Sequence, residues 1–223
     1  ADDNAGNLTP VPSGDGGANT VYSAQFSPGT AASPQYATSA PIIVTYSGAV
    51  AAEIGIKSVR LWCKYGSDGE WVNTGLTSPG ESGQFEFSPV SGDGTYHFAT
   101  TAENNDGGLT PEPPYGDGDT QTIYDTTPPY PGNMTSPQYT IETPIVVNYS
   151  GANDASSGLK EVRLWFKKGY AGAWQDTGQT STTPDGSFTF EITGEDAYFF
   201  FLQAEDNAGL VSAEPSDGLV FGG

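Results

Sequence analysis

The chain has 223 residues, among them 30 Gly, 17 Pro, one Cys and one Met, and its 27 acidic and 7 basic side chains give a formal net charge of −20. A surface of that sign repels a phosphate backbone, which excludes nucleic acid as a partner, and no run of about 18 apolar residues is present to insert into a membrane as a helix. No stretch carries a 3.6-residue apolar period, so frequent Gly, Pro, Ser and Thr predict short strands and turns, in two units of roughly 100 residues each.

The first residue is Ala1 rather than Met, which points to a processed chain or a piece of a longer one. The opening ADDNAGNLTP has relatives at 102–111 (AENNDGGLTP) and 204–214 (AEDNAGLVSAE), each following a strand-like run. Farther on, GDGGANTVYS at 14–23 matches GDGDTQTIYD at 116–125, which reads as a seventh strand. Residues 1–22 are therefore expected to be a final strand without a domain of its own. A segment such as PSGDGGAN has no core to bury, and its natural partner is an open sheet edge. Val21 and Tyr22 are its candidate interface residues.

A first unit is expected over 23–125 and a second over 126–223. PIIVTYSGA (41–49) recurs as PIVVNYSGA (144–152), and KSVRLWCKYG (57–66) as KEVRLWFKKG (160–169). Trp71 maps to Trp174, Phe85 and Phe87 to Phe188 and Phe190, and Tyr96 to Tyr198. The chain is thus a tandem repeat. In the first unit, Cys63 falls on an inward position and reads as a small buried hydrophobe, unable to form an intrachain disulfide. His97 lies on the opposite face from Tyr96 and Phe98 and is expected on the surface, and no nucleophile motif accompanies it, so no enzyme is expected.

In the second unit the apolar runs predict strands near 143–150, 159–168, 173–178, 186–192, 197–205 and 218–221, preceded by an edge segment after Pro131. Alternation places Ile145, Val147 and Tyr149 inward on one strand and Val162, Leu164 and Phe166 inward on the next. Tyr96 and Tyr198, each just after a Gly/Asp corner, are expected to be tyrosine corners. The fold class is all-β: two tandem seven-stranded antiparallel sandwiches plus an extra N-terminal strand.

A Tyr-x-Phe strand, then AEDNAG, and a last strand running into TIYDTTPP (122–129) resemble the immunoglobulin-like or fibronectin-III-like repeat modules of large bacterial and archaeal surface proteins. The resemblance spans nearly the whole chain. It implies an extracellular or cell-surface stalk, adhesin spacer or filament unit. The first unit departs from it, with AENNDGG for AEDNAG and YSAQFSP for YDTTPP.

Strand parity brings three segments to one pole of the second unit, and these carry Asp125, Asp154 and Asp206, with Asn153, Glu205 and Asn207 beside them. Three carboxylates with amide and backbone oxygens suit the six to eight oxygen ligands of Ca²⁺, so a structural calcium ion is the expected cofactor. The first unit has Ser23, Ala51 and Asn104 there and is expected to lack it. DNAG also suits a plain turn without metal.

Outward positions on the third strand of each unit carry Trp62 and Trp165, and YFFFL adds Phe199 and Phe201 to the same face as Trp165. Such a cluster reads as a partner surface, or as aromatics sheltered by Arg and Lys stems. The leading expectation is a filament subunit that binds copies of itself head to tail through residues 1–22. A repeat segment of an adhesin or stalk, and a non-catalytic accessory module of a polysaccharide-degrading enzyme, are the alternatives, with other surface proteins or glycans as their partners.

Overall fold

A computed structural model describes residues 25–113 and 116–216. Among them the chain is all-β. The first unit comprises β1 (Phe26–Ala32), β2 (Tyr36–Ala37), β3 (Ile42–Ala51), β4 (Ile56–Tyr65), β5 (Val72–Ser78), β6 (Gly83–Phe87), β7 (Gly94–Asn104) and β8 (Thr120–Tyr124). The second comprises β9 (Asn133–Thr135), β10 (Ile145–Ser150), β11 (Leu159–Lys168), β12 (Gln175–Ser181), β13 (Gly186–Phe190) and β14 (Tyr198–Asp206).

Two sheets face each other in the first unit, ordered β1-β3-β6 and β2-β8-β7-β4-β5. The described part of the second unit repeats this as β13-β10-β9 and β12-β11-β14. The predicted strand at 218–221 lies outside the described residues. One pairing has no counterpart among the sequence expectations: β2 runs parallel to β8, with Tyr36 opposite Ile123 and Ala37 opposite Tyr124.

Period-two alternation builds both cores. Val44, Val59, Leu61 and Phe98 are fully buried in the first unit, as are Val147, Val162 and Leu164 in the second. Burying each such side chain contributes about 1.5–3 kcal/mol. Cys63 joins the first core, and burial pushes its thiol pKa up to about 12, so it is packing rather than reactive sulfur. Phe166 packs against the second core from a half-buried position.

Both tyrosine corners form. Tyr96 Oη donates to Gly92 O (2.8 Å) and accepts from Ser91 N (3.0 Å). Tyr198 Oη donates to Gly194 O (3.0 Å) and accepts from Thr193 N (2.9 Å).

The expectation of a surface His97 is overturned, because only 4% of that residue is exposed. The turn at 116–119 folds back over its face of β7. Lys64 Nζ, also buried, donates to Ser67 O (3.0 Å), Gly116 O (2.8 Å) and Asp117 Oδ1 (3.2 Å), and sits 5.7 Å from the centre of the Trp71 ring. Gly118 makes this closure sterically feasible. At its φ of 71°, a Cβ would lie 2.5 Å from the Trp71 ring and 2.6 Å from Phe98 O.

Candidate metal centre

Three elements meet at one pole of the second unit. Asp125 follows β8 on the segment entering that unit, Asp154 lies in the loop between β10 and β11, and Asp206 ends β14. One oxygen from each carboxylate lies within 4.8 Å of the others. Asp125 and Asp206 are wholly inaccessible to solvent, and Asp154 is half-buried.

Backbone donors aim these groups. Asp154 Oδ1 accepts from the amides of Ser156 (3.0 Å), Ser157 (2.8 Å) and Gly158 (2.8 Å), which curls the loop around it. Asp125 Oδ1 accepts from Thr127 N and its Oδ2 from Ser157 N, both at 3.1 Å. Asp206 Oδ1 accepts from Leu210 N at 2.9 Å, whereas its Oδ2 is buried with no hydrogen-bond partner. Burial raises the Asp206 pKa above the ordinary carboxylate value, and the charges of Asp125 and Asp154 push the same way against the Leu210 and Ala208 amides.

Among the described residues, no ion pair reaches these three carboxylates. Two buried carboxylates and a third beside them bring like charges together away from water, a repulsion that a cation held between them would offset. The residues fit such a cation in two respects. Asp206 Oδ2 is an orphaned buried acceptor, and two oxygens on opposite sides of a calcium ion, each roughly 2.4 Å from it, stand about 4.8 Å apart.

The flanking candidates divide from this group. Glu205 points to the other face of β14, where its Oε1 accepts from Lys160 Nζ at 2.6 Å. Asn207 is exposed and donates through Nδ2 to Ser157 O (2.9 Å) and Gly158 O (3.1 Å), bracing the loop. Asn153 is exposed and exchanges backbone hydrogen bonds with Tyr130. The first unit has Asn104 at the place of Asp206, its Oδ1 accepting from Asp106 N (3.1 Å) and Gly108 N (2.7 Å).

The interface candidates fare differently. Val21 and Tyr22 lie outside the described residues. Trp62 is half-buried and donates to Thr101 Oγ1 (2.9 Å), and Trp165, also half-buried, to Gln203 Oε1 (3.1 Å). Phe199 and Phe201 are half-buried too: Tyr170 meets Phe199 edge-on at 5.1 Å, and Trp174 meets Phe201 at 6.0 Å. Lys167 Nζ lies over both Trp174 (5.3 Å) and Phe199 (5.5 Å). The outward aromatics are therefore sheltered by a lysine and by Trp174 rather than forming an open patch. Tyr170 and Trp174 both lie in the turn between β11 and β12, so the strand expected over 173–178 does not include Trp174 and strand alternation does not mark either ring as a member of this cluster.

The strand order, with β1-β3-β6 facing β8-β7-β4-β5, is that of an immunoglobulin-like sandwich. The chain is an all-β tandem of such units with a carboxylate centre in the second.

No protein-family model matches the chain, and no curated protein matches it. Among solved structures it is similar to the FN1–FN3 domains of chicken CNTN1, with 12% identity and a TM-score of 0.34 over 81% of this chain and 62% of that one. It is similar to a chain of a cytokine receptor complex, with 15% identity and a TM-score of 0.31 over 82% and 99% of the two chains. A tetra-tandem repeat from the extending region of a large adhesion protein gives 15% identity and a TM-score of 0.30 over 81% and 47%.

Proposed function

We propose that the chain is a structural subunit of an extracellular filament or cell-surface fibre, assembled head to tail, with residues 1–22 packing on a neighbouring copy. The observation that carries this reading is the match of 14–23 (GDGGANTVYS) to 116–125 (GDGDTQTIYD). In the later copy, that sequence is the closing turn and β8, paired along its length with β7. A second segment with the same pattern is suited to the same kind of pairing, and joining one chain's strand to another chain's sheet gives a heterologous contact that propagates without closing. Deleting residues 1–22 is expected to convert fibres seen by electron microscopy into monomers by sedimentation. Fibres that persist unchanged after the deletion would falsify the assignment of the tail as connector.

We further propose that Asp125, Asp154 and Asp206 bind calcium as a structural ion. The buried, unpartnered Asp206 Oδ2 supports this. Asp125 belongs to the segment leaving the first unit and Asp154 and Asp206 to the second, so a bound ion would tie that segment to the second unit. Ligation of the folded state alone adds about 2.7 kcal/mol at a hundredfold excess over the dissociation constant. The melting temperature is expected to fall on chelation and recover with added Ca²⁺; an unchanged melt with chelator rules the ion out.

A further inference from the structure

We infer that the acceptor for the N-terminal strand is the exposed segment at 136–140 of the second unit in another copy of the chain, beside the tyrosine corner of Tyr198. The inference rests on the filament reading above and adds the site and register of the joint.

The tetrapeptide SPQY occurs twice, at 33–36 and 136–139. In the first unit it is pinned by β8. Ile123 N donates to Gln35 O and Asp125 N to Ala37 O, both at 2.9 Å, while Thr122 Oγ1 lies 2.7 Å from Pro34 O and 2.8 Å from Ser33 Oγ. The same four residues in the second unit are all exposed, with Tyr139 at 88% and the following Ile141 at 104%, whereas Tyr36 is half-buried. One sequence therefore stands in two environments, and among the described residues what separates them is the segment TQTIYD (120–125), the predicted strand at 218–221 lying outside those residues.

The neighbouring corner differs in the same sense. Tyr96 is 1% exposed, with the Tyr124 ring of β8 at 6.3 Å, edge-on. Tyr198, its counterpart, is half-buried.

The sequence that repeats TQTIYD is ANTVYS at 18–23. Laid in the register of β8, Val21 N would donate to Gln138 O and Ser23 N to Thr140 O, and Thr20 Oγ1 would reach Pro137 O. Tyr22 would cover Tyr198 as Tyr124 covers Tyr96. Thr, Val and Tyr at these places are strand formers with the same inward and outward alternation as Thr122, Ile123 and Tyr124. Because Ser23, Ala51 and Asn104 stand at the places of Asp125, Asp154 and Asp206, the joint carries none of the three carboxylates. Chelation therefore loosens the second unit without dissolving the joint.

Cross-linking tests this in the full-length protein with Cys63→Ala removing the native thiol. Val21 falls opposite Tyr139 in the register that sets Ile123 opposite Tyr36, and adjacent strands approach closely enough for a disulfide. Oxidising a mixture of Val21→Cys and Tyr139→Cys chains is expected to give a covalent dimer, several-fold more abundant than with Thr77→Cys, an exposed position on the β5 edge, as the partner. A chain bearing both Val21→Cys and Tyr139→Cys is expected to give a ladder of multimers on a non-reducing gel. Closure of that chain on itself as a monomer assigns the place to its own tail and overturns the inference. An internal bond between Tyr139→Cys and Val220→Cys assigns the place to the chain's own last residues and overturns it equally. Fibres by electron microscopy without the Val21–Tyr139 bond overturn the acceptor while leaving the filament reading intact. Loss of fibres and bond together, in variants whose melts match the parent, overturns both.

Discussion

Asp206 and Asn104 hold the same place in the two repeats, each bonding through Oδ1 to the turn that follows its strand. They differ in one atom: a second carboxylate oxygen in place of an amide nitrogen. In the second unit that oxygen is buried, unpartnered and close to two further carboxylates, so the Asp is unfavourable unless a cation joins it. Asp206→Asn is therefore expected to raise stability in calcium-free solution by about 1–3 kcal/mol, the scale of an unsatisfied buried polar group. The same variant should abolish the stabilisation by Ca²⁺. Thermal melts of both proteins with and without the ion check the two arms together.

Asp93 titrates the other way. Partial burial opposes its charge, but the hydroxyls of Thr127 (2.7 Å) and Thr126 (2.8 Å) and their backbone amides outweigh it and hold its pKa below the ordinary value. A depressed folded-state pKa means that the unfolded chain takes up its proton first as pH falls. The stabilisation is complete above the ordinary carboxylate pKa, about 4, and lost as pH drops through the lower folded value. Melting temperatures between about pH 6 and 3 are expected to fall less for Asp93→Asn than for the parent; equal slopes would show that the clamp on 126–127 adds no stability.

At the scale of elements, the two tyrosine corners allow a comparison inside one molecule. Tyr96 is buried beneath Tyr124, and its hydroxyl satisfies both Ser91 N and Gly92 O. Tyr96→Phe is expected to cost about 1–3 kcal/mol in urea unfolding, because it strands a partly buried amide. Tyr198→Phe should cost less, since water can replace the lost hydroxyl at a half-exposed site. A larger loss at Tyr198 would contradict this ranking.

Strand positions in the second unit were legible because one face of each sheet is dry, and a one-residue slip would expose Val147, Val162 and Leu164 together. The ends of strands were less so: β12 runs from Gln175 to Ser181 rather than 173–178, because Gly and Thr there carry no apolar mark. The parallel pairing of β2 with β8 had no signal at all. It depends on backbone groups of SPQY, and the identical tetrapeptide at 136–139 is exposed.

At the scale of the whole molecule, the tandem repeat, the two cores and the convergence of Asp125, Asp154 and Asp206 at one pole could be read from the chain itself. Repeated apolar periods specify strands, and strand parity decides which loops share an end. No helix among the described residues is long and apolar enough to cross a membrane. Tertiary structure alone decided how each outward face is finished. His97 alternates with core residues and reads as solvent-facing, yet the turn at 116–119 covers it together with Lys64; Glu205 is adjacent to Asp206 but faces Lys160. Alternation reports which side of a sheet a residue occupies. Whether water or another segment lies on that side depends on contacts between residues far apart in the chain, and only the folded arrangement supplies those.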